Sequence, residues 1–134
     1  MTETTAEKSA RLHRFAHEFL GAWNTQDVEN VVTCYTPDLV YVDPNTRGAV
    51  EGADAFRRYL AKLFERWTMT WRLRELFPLF ADGAAVLWTA TLAPAGSGAS
   101  VDVDGMDLVV LDGDRIARNE VYFDRVPLAS LLRT

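Results

Sequence analysis

Residues 67–74, WTMTWRLR, mark the point at which the hydrophobic period of the chain changes. Trp67, Met69, Trp71 and Leu73 alternate with polar residues, which is the pattern of a strand with one buried face. Before this point, apolar residues recur at the helical period of about 3.6 residues. After it they lie in β-rich runs. The chain therefore divides into a mainly helical first half and a second half of strands.

Three helices are predicted in the first half. Apolar residues follow helical spacing over residues 12–23, 28–35 and 56–67. We expect the second helix to begin at Asp27, whose side chain suits an N-cap, and to be closed by Pro37.

Strands are predicted where alternating or β-rich runs are separated by turn residues. They cover residues 39–43, 67–74, 84–92, 101–111 and 114–123. The almost uncharged run 84–92 suits a central strand covered on both faces, and residues 127–132 indicate a short closing turn or helix. Three helices followed by antiparallel strands cannot form parallel βαβ units, so the predicted fold class is α+β.

Composition limits the kind of protein. With 134 residues, 49% hydrophobic and 25% charged, we expect one domain over residues 1–134. The net charge of -5 argues against a nucleic-acid partner. The single cysteine, Cys34, cannot form an intramolecular disulfide. The sequence contains neither a signal-peptide pattern nor a long apolar run, so we expect a cytoplasmic protein without a membrane partner.

Asp43 ends the strand predicted over residues 39–43 and is followed directly by Pro44. Alternation puts Leu39, Tyr41 and Asp43 on one face of that strand. One interpretation is a carboxylate at the mouth of an apolar pocket. The other is a cap on the turn that follows, since Asp side chains often accept hydrogen bonds from turn amides. The residues alone leave both interpretations open.

Asp107 is the acid that shares strand parity with apolar residues. Val103 and Val109 lie on its side, whereas Asp102 and Asp104 lie on the opposite face. Burial disfavours an ionised carboxylate and raises its pKa, so Asp107 could stay protonated and donate a hydrogen bond to an oxyanion. A buried Asp paired with an Arg or a backbone amide fits the pattern equally well.

Metal and cofactor motifs are absent from the sequence. His13 and His17 are one helical turn apart, but no third ligand accompanies them, and we expect both to be exposed. No glycine-rich phosphate loop, Gly-x-Ser-x-Gly or Cys-x-x-Cys occurs. The expected chemistry therefore uses neither a metal nor a cofactor.

Several segments carry a resemblance to a known family. They are FLGAWNTQD at residues 19–27, YTPDLVYVDP at 35–44, Gly52, GMDLVVLDG at 105–113 and YFDR at 122–125. Together they resemble the NTF2-like superfamily, especially its SnoaL-like and ketosteroid-isomerase-like branch. The resemblance covers nearly the whole chain. It implies a cone in which three N-terminal helices pack on a strongly curved, mostly antiparallel sheet.

The resemblance also implies roles for single residues. Asp43 matches the general base of ketosteroid isomerase, and Asp107 matches its oxyanion-hole acid, a standard example of a carboxylic acid kept neutral. Phe19 stands where the isomerase has its oxyanion tyrosine, so one hydrogen-bond donor is missing. Losing such a donor costs about 3 kcal/mol of transition-state stabilisation. Tyr35 or Tyr59 would have to reach the same oxygen to replace it.

Further side chains are expected around a hydrophobic small-molecule ligand. The predicted substrate-binding residues are Phe19, Trp23, Tyr35, Tyr41, Tyr59, Leu63, Trp88, Asn119, Val121 and Phe123. Aromatic residues at regular spacing more often belong to a core than to a ligand site, which is the alternative for this set.

The expected function is acid–base catalysis on a hydrophobic, ringed carbonyl compound, as in polyketide cyclisation or double-bond isomerisation. Asp43 would take a proton from the carbon beside the carbonyl, and neutral Asp107 would hydrogen-bond the enolate. The alternative is a non-catalytic ligand-binding or association protein, which an Asp107 tied to Arg115 or Arg118 would favour. The resemblance also implies a homodimer through the open face of the sheet, with the strand that carries Trp67, Met69 and Trp71 as a candidate contact surface.

Overall fold

The computed structural model describes residues 2–132 and has an α+β fold, as predicted. In chain order its elements are α1 (Thr5–Asn24), α2 (Val28–Val32), β1 (Tyr35–Val42), β2 (Val50–Glu51), α3 (Ala53–Arg66), β3 (Trp67–Pro78), β4 (Gly83–Pro94), β5 (Val101–Asp112), β6 (Arg115–Phe123) and α4 (Val126–Leu131). Three helices precede the long strands, but α2 has only five residues, and a short fourth helix follows the sheet. No helix within these residues is long and apolar enough to span a bilayer.

The strands form one six-stranded sheet in the order β2-β1-β6-β5-β4-β3. All neighbouring strands are antiparallel except β1 and β6, which are parallel. The helix α1 packs mainly against β3, and α3 contacts β1 and α2. The core lies between the helices and the inner face of the sheet.

The helix α1 begins with a capping box. The Thr4 hydroxyl accepts a hydrogen bond from the Glu7 amide at 3.0 Å, and the Glu7 carboxylate accepts one from the Thr4 amide at 3.1 Å. Two of the amides that a helix start leaves unpaired are thereby satisfied. From this start, Leu12, Ala16 and Phe19 follow the helix into the core.

The boundary between α2 and β1 differs from the prediction. The helix ends at Val32 and the strand begins at Tyr35, so Tyr35 is not on a helical stripe. Pro37 lies inside β1 and does not end a helix. The pairing of β1 with β6 is irregular between Tyr35 and Val40. An interrupted ladder can hold a proline, which has no amide hydrogen to donate.

Apolar residues at the start of β3 face the core. Met69 is buried, and Trp67 and Trp71 are half-buried on the inner face of the sheet. The Trp71 ring lies 5.3 Å from the ring of Trp23. The outer face of β3 instead carries polar side chains such as Arg72. The core therefore uses these apolar residues, the polar residues of β3 point outward, and the dimer contact of this strand stays a prediction.

Burial along β4 alternates, whereas the sequence predicted a strand covered on both faces. Val86, Trp88 and Ala90 are buried on the inner face, and Leu87 and Thr89 are half-buried on the outer face. The strand lies between β3 and β5, so both of its edges are paired, but its outer face is only partly covered.

Candidate functional site

Asp43 and Asp107 both face the interior between the helices and the sheet. Asp43 directly follows β1 and is 7% exposed, and Asp107 lies in β5 and is 6% exposed. Each lines a small cavity, which we call the Asp43 cavity (about 50 Å³) and the Asp107 cavity (about 20 Å³). The two cavities have common walls, formed by Trp23, Tyr41, Trp71 and Val121.

Asp43 accepts four hydrogen bonds from its own chain. Its Oδ1 accepts from the backbone amides of Asn45 (2.7 Å) and Thr46 (3.0 Å). Its Oδ2 accepts from the hydroxyls of Tyr41 (2.7 Å) and Tyr59. An ionised carboxylate offers about four such acceptor positions. The two interpretations of the sequence therefore coexist, since one oxygen caps the turn and the other faces the cavity.

The two tyrosines remain donors to Asp43 because they are protonated. Burial raises the pKa of Tyr41 well above its ordinary value, and the nearby charge of Asp43 adds to the effect. The pKa of Tyr59 is raised by the same two causes, with burial the larger. Tyr59 is only half-buried, so it is the more accessible of the two.

Asp107 is held in a different way. Its Oδ1 accepts a hydrogen bond from the indole Nε1 of Trp88 at 3.1 Å. Burial raises the pKa of Asp107 from 3.8 to about 7, although hydrogen bonds from Trp88 and Asn119 oppose the rise. Within residues 2–132 no Arg is ion-paired with Asp107, and Arg118 pairs with Glu120 at 2.8 Å. Near neutral pH a large fraction of Asp107 therefore carries a proton that it can donate.

Gly105 makes room for the indole that binds Asp107. It pairs with Trp88 across β4 and β5, and a Cβ atom at this position would lie 2.3 Å from the indole ring. No side chain fits there unless Trp88 moves. This role of Gly105, two residues before Asp107 on the same strand face, was not predicted, although the glycine within an otherwise β-rich run is a visible signal.

The predicted substrate-binding residues fall into two groups. Six of them line the Asp43 cavity, namely Trp23, Tyr41, Leu63, Trp88, Val121 and Phe123. Tyr59 lines a neighbouring surface groove and reaches Asp43 with its hydroxyl. Residues that also line the Asp43 cavity without having been predicted include Trp67, Met69, Trp71, Leu92 and Leu128.

The remaining three predicted residues lie behind the cavity walls. Phe19 is 1% exposed and packs against Phe15 and Tyr35. The Tyr35 hydroxyl donates to Asn119 Oδ1 at 2.7 Å and accepts from Trp23 Nε1 at 3.3 Å. Phe19, Tyr35 and Asn119 line neither cavity and instead support the walls from behind. The strand β1 carries Tyr35 into the core.

Neither candidate replacement for the missing oxyanion tyrosine is directed at an oxygen beside Asp107. The hydroxyl of Tyr35 donates to Asn119, and the hydroxyl of Tyr59 donates to Asp43. The missing donor is therefore replaced by neither tyrosine, and Asp107 lines the Asp107 cavity without it.

A larger opening lies outside the two carboxyl cavities. This outer groove, between α3 and α4, has a volume of about 540 Å³. It shares Asn45, Leu63, Trp67 and Leu128 with the Asp43 cavity, so these residues separate the two spaces. The sequence predicted a short closing helix but gave no signal that it would cover the cavity.

The fold has many counterparts among solved structures. One is an NTF2-like protein of unknown function from Burkholderia pseudomallei, with 17% identity, a TM-score of 0.79 and coverage of 92% of this chain and 98% of that chain. Another is a ketosteroid isomerase-like protein from Erwinia carotovora atroseptica, with 24% identity, a TM-score of 0.67 and coverage of 85% and 94%. A third is TerC, co-crystallised with polyporic acid, with 18% identity, a TM-score of 0.78 and coverage of 92% and 99%.

At these identities the likeness shows the fold, which is NTF2-like. No curated protein matches the sequence significantly. The family model of the SnoaL-like domain matches residues 16–119. The chain therefore belongs to the SnoaL-like family.

Proposed function

We propose that the protein is an enzyme of the isomerase or cyclase type that performs acid–base chemistry on a hydrophobic carbonyl compound. The observation that supports this most strongly is that Asp43 and Asp107 face adjoining cavities but are held differently. Asp43 accepts four hydrogen bonds, whereas burial raises the pKa of Asp107 to about 7. Two carboxyls in unlike environments are suited to separate roles as base and acid.

The proposed reaction begins with proton transfer to Asp43. Its Oδ2 takes a proton from the carbon beside the carbonyl, the C–H electron pair forms the enolate double bond, and negative charge moves to the carbonyl oxygen. Protonated Asp107 donates a hydrogen bond to that oxygen. The proton then returns to a different carbon, or the enolate carbon attacks a second carbonyl and closes a ring.

Access to Asp43 requires a rearrangement near Tyr59. Both oxygens of Asp43 are occupied, so one donor has to leave before Oδ2 can accept a proton. Tyr59 is the better candidate, since it is half-buried whereas Tyr41 is 3% exposed. The Asp43 cavity of about 50 Å³ has little more room than a water molecule, which occupies about 30 Å³. We therefore propose that a substrate enters from the outer groove and displaces Leu128.

An assay with a model ketone tests the catalytic proposal without knowledge of the natural substrate. We expect the protein to accelerate the replacement of the α-protons of 2-tetralone by deuterium in D₂O. The loss of the α-proton signals in ¹H NMR spectra measures the rate. General-base catalysis contributes about 10²–10⁴-fold, so Asp43→Asn should lose most of the acceleration. Asp107→Ala should lose about 10²-fold or more.

Two matched controls accompany these variants. Asp38→Asn changes an exposed carboxylate of β1, and Asp104→Asn changes an acid on the outer face of β5. Both should exchange 2-tetralone within about twofold of the unsubstituted protein, since surface substitutions have small effects. Absence of acceleration, or equal loss in the controls, would refute the acid–base assignment.

A second candidate is a non-catalytic ligand-binding protein. The observation that favours it is the complete occupation of Asp43 by donors from its own chain. The third solved relative, TerC, was co-crystallised with polyporic acid, which supports a small-molecule ligand for either candidate. Calorimetric binding of 2-tetralone without exchange of its α-protons would decide for this second candidate.

A homodimer remains a prediction from the resemblance. The outer face of the sheet is the better candidate surface, because Leu87, Met106 and Leu108 are half-buried there and Tyr122 is 53% exposed. Sedimentation equilibrium should give twice the chain mass of 15.0 kDa, and Leu108→Glu should reduce it to one chain. A single-chain mass for the unsubstituted protein would rule the dimer out.

A further inference from the structure

The outer groove combines apolar walls with three basic side chains. Its walls are built from Leu63, Trp67, Val126, Leu128, Ala129 and Leu132. Lys62 and Arg66 line it from α3, one helical turn apart, and Arg125 lines it from the start of α4. In a protein of net charge -5, this is a local concentration of positive charge.

These three cations have no acidic partner in the part of the chain that the structure describes. Each of the seven ion pairs found within residues 2–132 involves other basic residues. Arg125 is anchored by a hydrogen bond from Nη1 to the carbonyl oxygen of Pro44, at 3.2 Å. Its guanidinium is thus held beside the loop that begins at Asp43, and its other N–H groups are left for a ligand.

The charges on the two sides of the cavity wall are opposite. Inside is the carboxylate of Asp43, which would repel an anionic group. Outside are Lys62, Arg66 and Arg125, which would attract one. A ligand that spans both spaces is therefore oriented with its neutral carbonyl end inward and any anionic group outward.

We propose that the outer groove binds an organic anion, namely a molecule with an apolar ring or chain and one carboxylate or phosphate group. The apolar body rests on Leu63 and Leu128, which also border the Asp43 cavity. Lys62, Arg66 and Arg125 bind the anionic group. The inference rests on the proposed function, because it assigns this anionic group to the substrate of the same site.

Isothermal titration calorimetry with three matched probes tests the proposal. The probes are 2-naphthoate, 2-naphthyl phosphate and the uncharged 2-naphthamide. We expect at least one anion to bind about tenfold or more tightly than the amide at low salt, and this preference to shrink at about 1 M salt because of screening. The anionic probe that binds more tightly identifies the preferred group as a carboxylate or a phosphate.

Charge-removing variants locate the site. Combined Lys62→Gln, Arg66→Gln and Arg125→Gln should reduce anion affinity about tenfold or more and leave amide binding within about twofold. The control Arg58→Gln removes one positive charge from α3, one turn before Lys62 and outside the groove lining. It should change anion affinity less than about twofold.

The failures of the two proposals can be told apart. Equal binding of anions and amide, no binding at millimolar concentrations, or an equal loss in Arg58→Gln would overturn the groove proposal. If that anion binds as expected but 2-tetralone does not exchange, the groove stands and the catalytic proposal falls. If 2-tetralone exchanges but the anions bind no more tightly than the amide, the catalytic proposal stands and the groove proposal falls.

Discussion

Hydrogen-bond donors of different kinds surround the two carboxyls. The donors to Asp43 include two amides of the turn after β1, which the sequence Asp-Pro-Asn-Thr forms locally. Asp107 instead depends on the indole of Trp88, which belongs to the neighbouring strand β4. The protonation state of Asp107 is therefore controlled by side-chain packing, and the position of the Asp43 carboxylate is controlled by backbone geometry.

Gly105→Ala should destabilise the protein by forcing Trp88 away from Asp107. The added Cβ would lie 2.3 Å from the indole ring, and such overpacking costs about 1–3 kcal/mol. Urea unfolding measures the loss. Gly98→Ala is the control, because a Cβ there meets nothing within 4 Å and should change the free energy of unfolding by less than about 0.5 kcal/mol. Equal stabilities of the two variants would contradict the packing argument.

Strand parity predicted which acids face inward but not what binds them. Asp43 and Asp107 share a face with apolar neighbours, and both are buried. The partners Tyr59 and Trp88 come from α3 and β4, so no local pattern could indicate them. For Phe19, the position on an apolar stripe predicted burial correctly, but not whether the side chain lines a cavity or supports the wall.

At the scale of elements, two amide side chains cover the free edge of β3. Asn24 exchanges hydrogen bonds with the backbone of Trp71 at 3.0 and 2.7 Å. Gln26 donates to the carbonyl of Trp67 at 2.7 Å and accepts from the amide of Met69 at 2.9 Å. The chain from Asn24 to Gln26, at the end of α1, thus imitates a neighbouring strand and satisfies groups that an edge would leave open.

Removing this cover should weaken the protein and expose the edge. The double variant Asn24→Ala with Gln26→Ala loses four hydrogen bonds, and we expect a loss of about 2–4 kcal/mol in the free energy of unfolding. Thermal unfolding and light scattering measure stability and aggregation. Asn30→Ala, an exposed amide on α2, should show neither effect. A double variant as stable and as soluble as that control would refute the role of the amides.

The elements that the sequence predicted well are those with local signals. Long apolar periods gave α1 and α3, and alternation gave β3. The predicted start of β1 was wrong because Pro37 resembles the end of a helix. In the structure, the irregular pairing of β1 with β6 accommodates this proline. That pairing joins residues about 80 positions apart in sequence, so it is not visible in the sequence around Pro37.

For the whole molecule, the raised pKa of Asp107 predicts a pH-dependent stability. The folded protein binds this proton up to about pH 7, whereas the unfolded chain releases it near pH 3.8. Between these values the folded state holds more protons, so stability falls as pH rises, by up to about 1.4 kcal/mol per pH unit, and levels off above pH 7. Urea unfolding at several pH values, relative to Asp107→Asn, should show this slope. A constant difference would contradict it.

The proposed chemistry requires Asp107 to be a buried acid that still carries its proton near neutral pH. The most direct test is a ¹³C NMR titration of the aspartate carboxyl groups, with the Asp107 resonance assigned by its absence in Asp107→Asn. We expect a midpoint at about pH 7. A midpoint close to 3.8 would mean that Asp107 is ionised at neutral pH and cannot donate a hydrogen bond to an enolate, which would contradict the proposed chemistry.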